Sequence, residues 1–464
     1  MRSTPDPQLL SALERASLGA VARIYPAELV DEVLERYDRK EERRRALPAR
    51  LMVYFVIAMA LYSSSAYREV LQNLVEGLRG LRAWADHWEV PTRGGISVAR
   101  QRLGVEPLRA LFDATARPMA VPKTHGAWYH GKRVVALDGT ILDVPDSEEN
   151  ASTFGRPGSK RGERSGFPQV RVVSLVECGT HAHFNFRSGP LSQGETTLAR
   201  NMLPSLTSEM WCLADRNFFG NTLWQDAAAT GASLLWRVKK SLILEREATL
   251  SDGSYLSHVY PSTYARRRKR NGVAVRVIEY TLDDPGVASL EVYRLITTEM
   301  DPAGAPAHEL AVLYAERQEF EFAEDEFKTH LRGPGRILRS HSPEGVEQEI
   351  CGYFLAHYAL RAMMHDAALQ RDIDPRRISF THAVQVVQRK IIGRRVFPLS
   401  GLRILYQQVL DEMLDPQEIL PLRRLRANPR VVKRKMSKFQ VKRAKHRDWP
   451  QPTRSGVGAV RVGA

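Results

Sequence analysis

Cysteine is nearly missing from this chain. The three it has, Cys178, Cys212 and Cys351, are scattered, with no CxxC pair and no histidine at ligand spacing. That excludes a disulfide framework and a cysteine-rich metal module and leaves reduced, buried packing residues. Also missing is any run long enough to cross a bilayer: the longest apolar stretch, Leu51 to Tyr62, is well short of the ~20 residues a spanning helix needs, and Ser63-Ser64-Ser65 follows it. It reads as a buried helix. The start, Met1-Arg2-Ser3-Thr4-Pro5-Asp6, lacks the apolar core of a signal peptide, which predicts a cytoplasmic protein. No Walker-type phosphate loop, dinucleotide fingerprint or Ser-His-Asp arrangement stands out, so no nucleotide cofactor is expected. From Pro421 to Arg447 there is no Asp or Glu at all, while Lys433, Arg434 and Lys435 head a run of cations. Such a tail binds nucleic acid through counterion release and adds affinity rather than sequence choice.

What is abundant is positive charge. A net charge of +15 over 464 residues points to a polyanionic partner, with nucleic acid the commonest reason and an anionic membrane surface the rival. Apolar residues recur at helical spacing from about Pro7 to Ala120. Within that region Pro91 to Leu103 reads as a turn and a helix that carries Arg100 and Arg102 to DNA; a surface helix with solvated arginines gives the same pattern. From about Gly131 to Lys240 strands (Val134 to Leu137, Val170 to Val176, His183 to Arg187, Leu213 to Ala214, Leu234 to Val238) alternate with helices (Glu195 to Leu203, Thr222 to Thr230), an α/β pattern. His181 and His183 alternate along one of these strands, but no third metal ligand is near them in sequence. Between Leu242 and Leu313 antiparallel strands and polar turns are expected, including Val273 to Tyr280 and Leu290 to Ile296. The basic run there, with Arg267, Arg268 and Lys269, reads as a phosphate-contacting loop or as a solvated turn. Val346 to Met364 resumes helical periodicity. The composition shifts divide the chain at 1–127, 128–241, 242–312, 313–375 and 376–464.

Chemistry concentrates in three places. Tyr314, Arg317, Glu321 and Lys328 are spaced by three, four and seven residues, which stacks them on one helical face, while Leu313, Phe320 and Phe327 form an adjoining apolar stripe. A carboxylate flanked by Arg, Lys and Tyr suits a phosphodiester and a divalent cation; a solvated helix face is the plainer account of the same residues. Upstream, the apolar runs Val134 to Leu137 and Trp211 to Ala214 each end in Asp, at Asp138 and Asp215. Both read as buried parallel strands, whose carboxyl ends are where ligand sites form. Singly each Asp is a turn residue; with Glu321 they make three carboxylates, which together favour a two-metal nucleic-acid site.

The triad Asp138, Asp215 and Glu321, with Tyr-x2-Arg-x3-Glu-x6-Lys around the Glu, resembles the DDE transposases of bacterial insertion sequences, in the insertion-sequence-four-like branch. Leu137 to Thr140, Ala214 to Gly220 and Arg332 to Ser340 support the likeness. The resemblance implies a ribonuclease H-like core with a β-rich insertion, preceded by a helical domain that binds the element's terminal repeats and followed by a helical, basic C-terminal region. It implies metal-dependent cut-and-paste excision and strand transfer, with Asp138, Asp215 and Glu321 holding two Mg2+ ions, for which Mn2+ substitutes. Tyr314, Arg317 and Lys328 would contact phosphates. The partners implied are double-stranded DNA, as terminal inverted repeats and target, and a second copy of the chain in a nucleoid-associated complex; a hairpin at the transposon end is a common intermediate in that family. A DNA-binding derivative without chemistry, or a nuclease without strand transfer, are the alternatives.

Overall fold

The computed structural model describes residues 19–41, 46–76, 91–157, 166–282, 292–391, 399–421 and 460–462. Its contacts group the chain into two compact units that interleave along the sequence. The first is Met1–Trp128, Gly139–Met202 and Glu319–Leu420; the second is Tyr129–Asp138, Leu203–Gln318 and Pro421–Ala464. The consecutive segments expected from composition are thus shared between units: the N-terminal helices group with C-terminal ones. The tail cations Lys433, Arg434 and Lys435 lie outside the described residues.

The first unit is built around two helices. Ala49–Leu61 contains the long apolar run, and every residue from Leu51 to Leu61 is buried. A helix apolar on all sides has to be surrounded, and Pro343–Arg371 supplies one wall. Pro343 starts that longer helix, Ser342 caps it by accepting from the Gly345 amide, and Asp372 ends it in the left-handed region at φ 51°. The Tyr25 hydroxyl donates to the Leu355 carbonyl at 2.7 Å, and the Tyr54 hydroxyl donates to the Tyr25 carbonyl at 2.8 Å, so two buried phenols tie the N-terminal segment to both helices. The antiparallel strands Gln169–Glu177 and His183–Pro190 belong to this unit as well. The turn joining them contains His181 at φ 58°, so His181 stands in a turn, not in the strand expected from alternation.

The second unit holds the parallel ladder. Lys132–Asp143 pairs in parallel with Met210–Ala214, which pairs in parallel with Ser233–Arg237 after the crossover helix Asn221–Ala228. All five residues of Met210–Ala214 are buried, as a strand covered on both faces must be. Antiparallel strands then continue the sheet: Tyr293–Thr297 joins Ser233–Arg237, followed by Val273–Leu282, Tyr255–Val259 and Ala248–Thr249. Antiparallel strands thus occur within the stretch where they are expected, Val273–Leu282 and Tyr293–Thr297 among them, while Leu290 and Glu291 lie outside the described residues. The result is a mixed α/β fold with a large sheet and many helices.

Candidate active site

The two aspartates meet through strand register. Leu137 is opposite Ala214 in the parallel ladder, so Asp138 and Asp215 are the next residues on neighbouring strands. Met210–Ala214 ends where the sequence indicates, immediately before Asp215. Lys132–Asp143 does not end at Asp138: the strand runs five residues further, and it is its pairing with Met210–Ala214 that stops at Leu137. Asp138 therefore sits where the two strands part company.

A cation and a phenol meet this pair within the same unit. The Arg317 guanidinium donates to Asp138 Oδ2 at 2.7 Å, with the Asp138 side chain 21 % exposed and that of Arg317 13 %. Tyr314 is buried, and its hydroxyl donates to the Ala214 carbonyl at 3.3 Å, one residue before Asp215. Burial pushes the Tyr314 phenol well up from its usual value and the Asp215 charge adds to this, so the hydroxyl stays protonated. Tyr314, expected from its spacing to contact phosphate, is buried in this structure with its hydroxyl on the backbone just before Asp215.

Tyr314, Arg317, Glu321 and Lys328 do not share one regular α-helix. The chain coils as Ala307–Leu313 (α), Tyr314–Arg317 (3₁₀), Gln318–Asp325 (α) and Glu326–Leu331 (π). Changes of pitch rotate successive residues away from ideal α stepping, and π segments recur at functional sites. The apolar stripe keeps its role, with Leu313, Phe320 and Phe327 all buried. Glu321 and Lys328 belong to the first unit, where Lys328 Nζ pairs with Glu324 at 2.6 Å.

Residues 15–113 match the family model described as Insertion element 4 transposase N-terminal, and residues 129–359 match the Transposase DDE domain. The chain is 28% identical over 420 residues to "Transposase InsG for insertion sequence element IS4" of Escherichia coli (strain K12), covering 89% of this chain and 91% of that one. The chain belongs to the insertion-element-4 family of DDE transposases. A second relative of this transposase, "Putative transposase InsZ" of the same organism, is 26% identical over 214 residues, covering 46% of this chain and 68% of that one. A solved piggyBac transposase synaptic complex with hairpin DNA aligns over 91% of this chain and 84% of that one, at 12% identity and a TM-score of 0.39, too low for a shared fold to follow. DDE transposases use divalent metal ions. Asp138 and Asp215 are hard anionic oxygen donors at the end of the parallel pairing between adjacent strands, chemistry that fits such a cation. Among the described residues, no three His, Cys, Asp or Glu side chains are gathered closely enough to hold a metal ion.

The other predicted DNA contacts of this transposase divide in two. Arg267, Arg268 and Lys269 are exposed around the end of the short helix Thr263–Arg267, with the Arg268 guanidinium 4.8 Å from the Tyr264 ring centre. Arg100 is not presented to DNA: it is 5 % exposed, although it borders a cavity of 630 Å³. Its Nε donates to Gln348 at 3.0 Å, Nη1 to the Tyr67 and Ser340 hydroxyls at 3.0 Å each, and Nη2 to the Gly345 carbonyl at 2.8 Å. Arg102 is half-buried and held by Glu41 at 3.3 Å and by the Leu47 carbonyl.

Sequence reasoning missed a buried cluster beside the Glu321 helix. Glu319 and Glu326 are buried with His181, His357 and Arg361. Two acids in that motif looked like ordinary surface residues, and their partners come from positions over thirty residues away on both sides. The only local signal was the stripe itself, since Glu319 and Glu326 each precede a buried Phe.

Proposed function

We propose that this transposase cuts and joins DNA with Asp138, Asp215 and Glu321 as its catalytic carboxylates, on a ribonuclease H-like core. The observation that carries this reading is the register that makes Asp138 and Asp215 the next residues after the last parallel pair, in a chain matched over those strands by the DDE domain model. Glu321 supplies the third carboxylate. The ions held by these residues are Mg2+, with Mn2+ able to replace it; when bound, such ions activate the attacking oxygen and offset charge on the leaving 3'-oxygen.

The remaining steps belong to the protein. Arg317, already within 2.7 Å of Asp138, orients that carboxylate and stands where it can hold a phosphate oxygen. Tyr314 holds the backbone just before Asp215 in place. Lys328, on the π segment, neutralises phosphate charge beyond Glu321. Water hydrolyses one phosphodiester at the element's end, and the freed 3'-hydroxyl attacks target DNA, exchanging one phosphodiester for another without nucleotide energy. The partners are double-stranded DNA, as inverted repeats and target, and a second copy of the chain, since two ends are cut together. Arg267, Arg268, Lys269 and the tail cations Lys433, Arg434 and Lys435 contribute phosphate contacts.

The test pairs cleavage with binding, on DNA carrying the flanking element's ends. Glu321→Ala should lose more cleavage than the roughly 10- to 100-fold cost of removing an outer partner of a metal site, with DNA affinity kept. Lys328→Ala should fall less, through looser positioning. Cleavage surviving in Glu321→Ala refutes the carboxylate assignment. A wild-type protein that hydrolyses ends but yields no joined product would be a nuclease without strand transfer.

A further inference from the structure

Glu321 lies on a helix that is gripped from behind. On an α-helix, residues two apart differ by about 200° around the axis, so Glu319 faces away from Glu321. Glu319 is 4 % exposed and Glu326 6 %, and between them lies the fully buried ring of His181. Its Nε2 is 2.7 Å from Glu319 Oε2 and its Nδ1 2.9 Å from Glu326 Oε1. One imidazole thus touches carboxylates on both sides of Glu321 in sequence. Arg361 Nε donates to Glu326 Oε2 at 2.9 Å, and its Nη2 reaches both Glu326 and His181. His357 Nε2 is 3.3 Å from the same carboxylate, and Arg376 Nη1 is 3.9 Å from Glu319.

The other side of the grip is anchored too. His181 adopts φ 58°, in the left-handed region that residues with a side chain enter uncommonly. The turn is fixed by the Glu177 carboxylate, which accepts from the Met119 amide at 3.1 Å, the Ala120 amide at 3.0 Å and the Thr180 hydroxyl at 2.5 Å. Glu326 is also the first residue of the π segment, so the contacts that hold it pin the place where the helix changes pitch between Glu321 and Lys328. All of these residues lie in the first unit.

We propose that His181 is a positioning residue for the metal-binding carboxylate Glu321: by bridging Glu319 and Glu326 it fixes the rotation and pitch of the segment that carries Glu321. This rests on Glu321 being the third carboxylate. His181 itself touches no reacting group. Outer residues of this kind set metal affinity through the ligand they orient, typically by about 10- to 100-fold.

The experiment uses the full-length protein bound to DNA carrying the element's end, with Mn2+ binding followed by electron paramagnetic resonance, as His181→Gln, Glu319→Gln and Glu321→Ala beside wild type. In folded His181→Gln the Mn2+ dissociation constant should rise about tenfold or more, with DNA affinity unchanged, cleavage recovering at high Mn2+, and amide exchange in 318–331 faster. Glu319→Gln, which weakens one arm, should move the same way by less. A folded His181→Gln or Glu319→Gln with wild-type Mn2+ affinity overturns the proposal, as does unfolding of both, which would make the cluster a support of the whole unit. If Glu321→Ala keeps wild-type cleavage and Mn2+ affinity, it is the assignment of Glu321 that fails.

Discussion

Arg100 shows how one residue's surroundings reverse the role its neighbours in sequence suggest. It stands in the basic helix Arg93–Leu103, yet its guanidinium joins that helix to Gln348, Ser340 and the Gly345 carbonyl. A helical pattern reports which residues share a face but not what covers that face, and the cover here comes from residues about 240 positions later. The partners of Arg100 are neutral, and leaving a buried polar partner unsatisfied costs about 1–3 kcal/mol. Arg100→Ala should therefore lower the unfolding free energy by that order, read from equilibrium unfolding in denaturant. If its burial keeps Arg100 off phosphates, the dependence of DNA affinity on salt should be the same in a folded variant, and a shallower slope would return Arg100 to the DNA interface.

Among the elements, the buried strands were the most legible. Strands covered on both faces are apolar at every position, so Val134 to Leu137 and Trp211 to Ala214 announce themselves, and the polar residue after each run marks where the ladder opens. The extension of the first strand to Asp143 was not legible, since beyond Asp138 its burial is mixed and no apolar run remains. Nor were the 3₁₀ and π turns around Glu321, because sequence spacing assumes one pitch throughout. Helix contact is also invisible to pattern, and Gly352 illustrates it. A Cβ at Gly352 would come within 2.6 Å of the Val56 carbonyl oxygen and 2.8 Å of its Cγ1. Replacing glycine by alanine inside a helix ordinarily stabilises by about 1 kcal/mol. Overpacking costs about 1–3 kcal/mol, and a backbone oxygen inside the wholly buried helix Ala49–Leu61 has little room to give. Gly352→Ala should come out destabilising, read from equilibrium unfolding; a stabilised variant would show that the two helices can part.

For the molecule as a whole, acid is the first stress to examine. Burial holds His183 well below the usual imidazole value and His357 below it. Burial alone would raise Glu326, but Arg361 and His181 outweigh it and hold that carboxyl well below its usual range. All three shifts are downward, so in each case the unfolded chain takes up a proton before the folded one does. Their stability is present above the unfolded values of 6.5 for the imidazoles and 4.5 for the carboxyl, and it is lost as pH falls below them. Thermal midpoints should fall in two stages, through the imidazole window and then the carboxyl one. His183→Phe should flatten the first stage, and equal slopes in variant and wild type would remove His183 from this account.

The second whole-molecule property, in a chain of net charge +15, is how binding responds to salt. Each phosphate contact releases counterions, so the logarithm of DNA affinity falls with the logarithm of salt by about 0.9 per contact. Arg267, Arg268 and Lys269 are exposed on one side of the chain's basic inventory, and Lys433, Arg434 and Lys435 come from its acid-free tail. If both sets lie on phosphates, changing either triplet to alanine should reduce the slope by up to about 2.7, and changing both should reduce it by the sum, because distant contacts add. Neither change removes a base contact, so the preference for the element's ends over unrelated DNA should survive. A triplet variant with the wild-type slope would identify that triplet as solvated surface. Loss of end preference would instead show that it reads sequence, which charge alone does not do.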